Sequence, residues 1–213
     1  MNSAANRYKE TFTTWNKVAK LYEDKFMHLD LYNDSYATFC EFIANENSSI
    51  LEIGCGPGNI TKYLLSQNPN YDILGIDIAP KMIELAEKNN PSANFKIMDS
   101  RDIDSINTTF DAIICGFCLP YLSKTDRQKL VKDSCQLLSD NGIIYISFVE
   151  GNYEKSGFQT GSSNNDRVYF YYHELTDLKS DLIENNFKIV RIINTEYKKQ
   201  DGIEIHTIVI AKK

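Results

Sequence analysis

Three glycines at alternate positions, Gly54, Gly56 and Gly58, follow directly on the apolar run Ser49-Ile50-Leu51-Glu52-Ile53. Without a β-carbon the chain can turn tightly there, and a ligand can lie against bare backbone. Between a strand and a helix, such a turn is a nucleotide-type binding loop. Two aspartates stand where further apolar runs end. Asp77 closes Ile73–Ile76 about twenty residues beyond the loop, where a carboxylate can accept both hydroxyl hydrogens of a ribose. Asp99 follows Phe95–Met98; it would face an adenine exocyclic amine, with the Ser100 N–H free for a ring nitrogen. Glu52, inside the first run, either holds the loop or reaches a ligand amine.

Spacing narrows the ligand. A dinucleotide fingerprint needs Gly-x-Gly-x-x-Gly or Ala, whereas Asn59 takes the sixth place here and Gly58 comes one place early. Pro57 removes a backbone donor that could otherwise face a pyrophosphate. No Gly-Lys-Ser/Thr follows, which excludes a phosphate-binding P-loop. Carboxylates at three strand ends suit a ligand carrying an ammonium and a sulfonium, and suit a pyrophosphate poorly.

These side chains need a sheet to present them. Ile50–Ile53 is the first predicted strand, with a helix beginning in Asn59–Leu65. Ile73–Ile76 is the second, followed by a helix near Pro80–Lys88, where proline suits the first turn. Phe95–Met98, Phe110–Cys115 and Ile143–Phe148 are the next three; the uninterrupted apolar fourth is what a strand covered on both faces requires. The Lys124–Leu138 segment is helical, and Asn141 or Gly142 would cap its C-terminus. Gly151–Asp166, polar and glycine-bearing, reads as a loop, and Glu174–Glu184 as a helix. Phe187–Ile193 and Glu204–Ile210 are joined through Asp201-Gly202, too short a link for a parallel crossover, so they form an antiparallel hairpin. Residues 8–47 read as one or two helices over the open end, with Trp15, Val18, Leu21, Tyr22 and Phe26 on one face. The expected fold is therefore α/β, a Rossmann-like three-layer sandwich with about seven mostly parallel strands, the last antiparallel. Residues 1–47 are the helical cover and 48–213 the binding domain.

The 213 residues suffice for one substantial core. With 23 Lys and Arg against 29 Asp and Glu, the formal charge is −6, which argues against a general nucleic-acid partner. No apolar run is long enough to span a bilayer and the N-terminus has no apolar h-region, so a cytoplasmic protein without a membrane partner is expected. Five cysteines, an odd number, argue against a disulfide scaffold. Cys115 and Cys118 have CxxC spacing, but neither a second pair nor a nearby histidine accompanies them, and no metal is expected.

The constellation resembles the class I S-adenosylmethionine-dependent methyltransferases. Leu51-Glu52-Ile53-Gly54-Cys55-Gly56-Pro57-Gly58 is similar to that family's first motif, and Met98-Asp99-Ser100 to its adenine-side site. Phe110-Asp111-Ala112-Ile113-Ile114-Cys115-Gly116-Phe117-Cys118-Leu119 is similar to its fourth-strand motif and the loop behind it. The terminal hairpin matches the usual antiparallel seventh strand, and the resemblance runs from about Ile50 to Ala211. It implies S-adenosyl-L-methionine as cofactor, held by Glu52, Gly54, Gly56, Gly58, Asp77, Ile78, Asp99, Ser100 and Phe117. It implies transfer of a methyl group to a small-molecule acceptor. Two other readings stay open: a non-catalytic S-adenosylmethionine-binding regulatory or interaction protein, and an NAD-dependent oxidoreductase, which the misplaced third glycine and the terminal hairpin oppose.

Methyl transfer needs alignment and exclusion of water more than a dedicated catalytic triad. The acceptor pocket is expected over strands four and five, lined by Tyr22, Phe117, Leu119, Tyr121, Phe148 and the Gly151–Asp166 loop. Gly116-Phe117-Cys118-Leu119-Pro120 replaces the Asn/Asp-Pro-Pro-Tyr of relatives that methylate nucleobases or glutamine, which disfavours that branch. Tyr22, Tyr121 and His173 are the candidate catalytic residues, His173 because its usual titration range suits proton removal. His28 on the helical cover is a lesser candidate. His206, in the terminal hairpin, is expected to be structural. The helical cover either closes on its own sheet or pairs with a second subunit in a homodimer.

Overall fold

The protein, seen here as a computed structural model, is described for residues 4–160, 166–199 and 202–213. Two helices come first, α1 (Ala4–Phe26) and α2 (Asn33–Glu41). Then strands and helices alternate: β1 (Ser49–Ile53), α3 (Asn59–Gln67), β2 (Asp72–Asp77), α4 (Pro80–Asn89), β3 (Asn94–Ile97) and β4 (Phe110–Gly116). The remainder is α5 (Lys124–Leu137), β5 (Leu138–Val149), β6 (Gly157–Thr160), β7 (Arg167–Phe170), α6 (Leu175–Glu184), β8 (Lys188–Lys199) and β9 (Gly202–Lys212). Seven strands form one sheet in the order β3-β2-β1-β4-β5-β9-β8. β9 runs antiparallel to both neighbours, and the other pairings are parallel. This is the expected three-layer sandwich.

Successive residues of a strand face opposite sides, and the core divides accordingly. Leu51, Ile53, Ile113 and Ile146 pack against Leu130 and Val131 of α5 and Leu178 and Leu182 of α6. Ile50, Ala112, Ile114 and Tyr145 pack against Phe39 of α2 and Ile60 and Leu64 of α3. β1 and β4 are covered on both faces, so Ile50, Leu51, Ile53 and the run from Ala112 to Cys115 are buried and apolar, whereas the edge strand β3 is largely exposed. No described helix is long and apolar enough to cross a membrane.

Four local expectations need correction. The α5 helix is not capped at Asn141 or Gly142: the chain turns extended at Leu138, which pairs with Phe110. Buried Leu138 enters the sheet at once, and Asn141, at φ +66°, takes up the register shift that follows. The segment read as a loop carries a β-hairpin, β6 with β7, although Gly161–Asn165 lie outside the described residues. Its sequence signal is the aromatic pair Phe158 and Tyr169, edge to face at 5.1 Å across the two strands. Leu21 faces solvent at 61 % exposure, because the inward stripe of α1 runs through Phe12, Trp15, Ala19 and Tyr22 instead. The terminal hairpin is longer than predicted. The β5–β9 ladder ends with Val149 opposite His206, one further bond running from the Glu150 N–H to the Ile205 carbonyl, and Gly202, Ile203 and Glu204 with their β8 partners extend past it as an arm.

Candidate cofactor cleft and the recess beside it

The glycine loop is tied to the neighbouring strand by Gly54 and Cys55, whose N–H groups both donate to the Ile76 carbonyl at 2.8 and 2.9 Å. Gly54 and Gly56 adopt φ of +71° and +53°, a left-handed conformation that penalises any other residue. A Cβ on Gly54 would stand 3.1 Å from Cys118, so the bare backbone forms the floor of a cleft. That cleft opens at the carboxyl ends of β1, β2 and β4, where ligands bind in open α/β sheets. Counting its mouth it holds about 770 Å³, within the range of small-molecule sites.

Asp77 stands at its centre. One carboxylate oxygen accepts the Gly56 N–H at 3.0 Å and the other the Ala79 N–H at 2.8 Å. Each oxygen keeps a further lone pair, and burial raises the carboxyl above its ordinary range. Ile78, Met82, Met98, Asp99 and Ser100 line the same end. Asp99 is gripped by the Arg101 guanidinium, whose Nε lies 3.0 and 3.1 Å from its two oxygens. Arg101 in turn lies over the Tyr8 ring at 4.1 Å, a cation–π contact that ties α1 to this wall. Trp15 stands edge-on to Tyr22 at 5.5 Å and to Tyr121 at 5.3 Å, closing the opposite side. Burial pushes the Tyr22 phenol up to about 12, with Asp77 adding to it, and burial raises Tyr121 as well. Both are neutral hydroxyls at physiological pH.

Residues 50–142 match the family described as a methyltransferase domain. Among curated proteins, a malonyl-[acyl-carrier protein] O-methyltransferase of Paenibacillus is 33% identical over 136 residues, covering 57% of this chain and 49% of that protein. A demethylmenaquinone methyltransferase of Thermotoga maritima is 21% identical over 214 residues, covering 92% and 89%. Among solved structures, the 1,6-didemethyltoxoflavin-N1-methyltransferase of Burkholderia thailandensis superposes with a TM-score of 0.73 at 15% identity, covering 100% of this chain and 91% of that one. The fold is that of the class I S-adenosylmethionine-dependent methyltransferases.

On this methyltransferase fold, nine of the predicted site residues gather in the cleft: Tyr22, Gly54, Gly56, Asp77, Ile78, Asp99, Ser100, Phe117 and Tyr121. Three do not. Gly58, at φ +81°, caps α3 outside the lining; a Cβ there would meet the Asn90 amide nitrogen at 2.3 Å. It is a glycine so that α3 can start against the end of α4. Glu52 lies beneath the loop, on the α3 side of β1. One of its oxygens accepts the Thr61 hydroxyl, the other has no partner, and burial pushes the carboxyl up to about 8.

His173 is the larger correction. It is fully buried and absent from the cleft wall. Its Nε2 lies 3.0 and 3.1 Å from the carbonyls of Leu119 and Leu122, which can only accept, so this nitrogen carries the proton. Its Nδ1 accepts from the Arg127 guanidinium at 3.0 Å. Arg127, itself buried, donates through Nε to Asp181 at 2.7 Å. Burial, then the Arg127 charge, push His173 down to about 4. Nε2 holds the turn that carries Tyr121 and Nδ1 is taken by Arg127, so neither ring nitrogen is free to serve as the base. Leu119 and Phe148, expected in the acceptor pocket, are core residues, and His28 is exposed and lines neither cavity.

A second recess of about 410 Å³, counting the open space at its mouth, adjoins the cleft, sharing Tyr22, Gly54, Gly56, Gly116 and Phe117 with it. Its other walls include Phe26, Leu29, Tyr32 and Tyr36. Phe117, at φ +55°, takes a left-handed conformation rare for a bulky side chain. Its N–H donates to the Ser147 carbonyl and hydroxyl at 3.2 and 3.0 Å. The ring packs 4.9 Å from both Tyr32 and His206. Sequence reasoning missed Phe12, Met82, Tyr32 and Tyr36 as wall residues. The α1 periodicity could have found Phe12; nothing local marks Tyr32.

Proposed function

We propose that the chain binds S-adenosylmethionine in the cleft and transfers its methyl group to a small, flat acceptor. The observation that carries this is the left-handed Gly54–Gly56 floor beside Asp77, opening directly into an aromatic recess. The residues suit the cofactor. Asp77 retains lone pairs for the ribose hydroxyls, and Asp99, Ser100 and Ile78 surround the adenine end. Gly54 and Gly56 would take the methionine part. When bound, the cofactor supplies an activated sulfonium methyl. The protein's share is placement: Trp15, Tyr22 and Tyr121 wall the reacting centre from water and hold the acceptor close. The aromatic lining of the recess and the formal charge of −6 favour a small aromatic acceptor over a nucleic acid.

Calorimetry with S-adenosylmethionine and S-adenosylhomocysteine tests the first half, and absence of binding to either would overturn it. Incubation with methyl-labelled cofactor and a metabolite extract tests the second. Intact binding with no labelled product would instead favour a non-catalytic binding protein.

A further inference from the structure

Beyond the donor site, we propose that Tyr32, His206 and Glu204 form a proton relay that deprotonates an aromatic hydroxyl acceptor seated in the recess. This rests on the methyl-transfer reading. Tyr32 lines the recess, and its hydroxyl lies 2.6 Å from His206 Nδ1. His206 Nε2 faces a Glu204 carboxylate oxygen at 3.5 Å, while the other oxygen of that carboxylate is held by Lys199. The imidazole is clamped in place: Tyr197 stacks on it at 4.9 Å and 13°, and Phe117 meets it edge-on. Tyr197, Lys199 and Glu204 all sit on the β8–β9 arm beyond the end of β5. The arm thus brings a charged carboxylate to the outer side of His206 and leaves Tyr32 on its inner side.

The groups facing His206 are Tyr32 from the α1–α2 connection, Phe117 from the end of β4, Tyr197 and Lys199 from β8, and Glu204 from β9. Burial lowers the imidazole below its ordinary range and Glu204 opposes this, so it rests neutral at physiological pH. The carboxylate fixes the Nε2–H tautomer, leaving the Nδ1 lone pair for the Tyr32 proton. In the step, the acceptor hydroxyl gives its proton to Tyr32 as the tyrosine proton passes to Nδ1. The acceptor oxygen bonds to the methyl carbon, the carbon–sulfur bond breaks and its electron pair stays on sulfur. Glu204 steadies the imidazolium until the product leaves; the Nδ1 proton then returns through the Tyr32 hydroxyl to solvent in the recess, which restores the Nε2–H tautomer. Tyr32 never has to exist as a free phenolate, which its burial disfavours.

The probe is para-nitrophenol, whose ionisation is read from its colour, titrated into protein saturated with S-adenosylhomocysteine. The bound phenol should ionise about one pH unit lower than in free solution. Tyr32→Phe and His206→Gln should abolish that shift and Glu204→Gln should reduce it, all with wild-type S-adenosylhomocysteine affinity. A wild-type protein that leaves the phenol unbound or unshifted overturns the relay, as does a shift that survives both substitutions. Failure of the wild type to bind S-adenosylhomocysteine would mark failure of the underlying methyl-transfer reading instead. If a substitution costs the fold, heteronuclear NMR of the wild type still decides. An Nε2–H tautomer at His206 is expected, and Nδ1–H excludes the relay.

Discussion

The surroundings of His173 and His206 make an instructive pair. Both imidazoles are buried near the carboxyl end of the sheet, and burial lowers both below the ordinary histidine range. Around His173 every polar contact is internal: two carbonyls on one nitrogen and a guanidinium on the other. Around His206 one contact, the Tyr32 hydroxyl, belongs to a side chain that also lines a cavity. Neither burial nor a shifted titration separates a structural histidine from a chemical one. What separates them is whether the partner has a second face open to a ligand.

The sharpest way to break this comparison is Arg127→Met, which strands the Asp181 carboxylate and the His173 Nδ1 together. Losing one member of a buried ion pair costs about 3–5 kcal/mol, and each kcal/mol lowers the melting temperature by about 2–4 °C in a chain of this size. A drop on the order of 10 °C in thermal denaturation is expected. An unchanged melting temperature with lost activity would place His173 back in the chemistry. Next comes Asp77→Ala, which removes charged acceptors from the ribose position. Calorimetry should show affinity for S-adenosylhomocysteine falling roughly ten- to hundredfold.

Titration sharpens the contrast further. His173 has its folded value depressed from 6.5 to about 4, so its stabilising contribution is complete above 6.5 and is lost as pH falls towards 4. Glu52 is raised from 4.5 to about 8, so its contribution is complete below 4.5 and is lost as pH rises towards 8. Denaturation curves for His173→Gln should therefore lose part of the acid-side fall, and those for Glu52→Gln part of the alkaline-side fall. Either slope surviving its substitution would contradict the assignment. At Gly58→Ala the effect is expected on stability alone: left-handed strain of about 1–2 kcal/mol adds to the clash of the new methyl with Asn90, and cofactor affinity is unchanged. Gly56→Ala, on the cleft floor, should weaken binding; equal affinity in the two variants would erase the distinction drawn between these glycines.

The cleft was legible in the chain because it is local. Gly54, Gly56, Asp77 and Asp99 each stand at the end of a short apolar run, and strand order alone gathers them. Gly58 shows the limit of that logic. Its spacing fits a binding loop, but its left-handed turn is required by Asn90, a contact no local pattern announces. The recess was not legible, because Tyr32 and His206 are 174 positions apart and meet only when β9 inserts beside β5. His173 misled for a related reason: the carbonyls and guanidinium that occupy it come from a turn and a helix about fifty positions earlier.

Helix α1 is fastened to the β6–β7 hairpin along its length. The Tyr169 N–H donates to the Thr11 hydroxyl at 2.9 Å, the Thr14 hydroxyl donates to the Arg167 carbonyl at 2.9 Å, and Arg167 and Asp166 pair with Glu10 and Lys17. The same helix supplies Phe12, Trp15 and Tyr22 to the cleft wall. One wall of the cleft is therefore pinned by a strand about 150 positions further along the chain, and moving α1 away from the cleft would have to break those bonds.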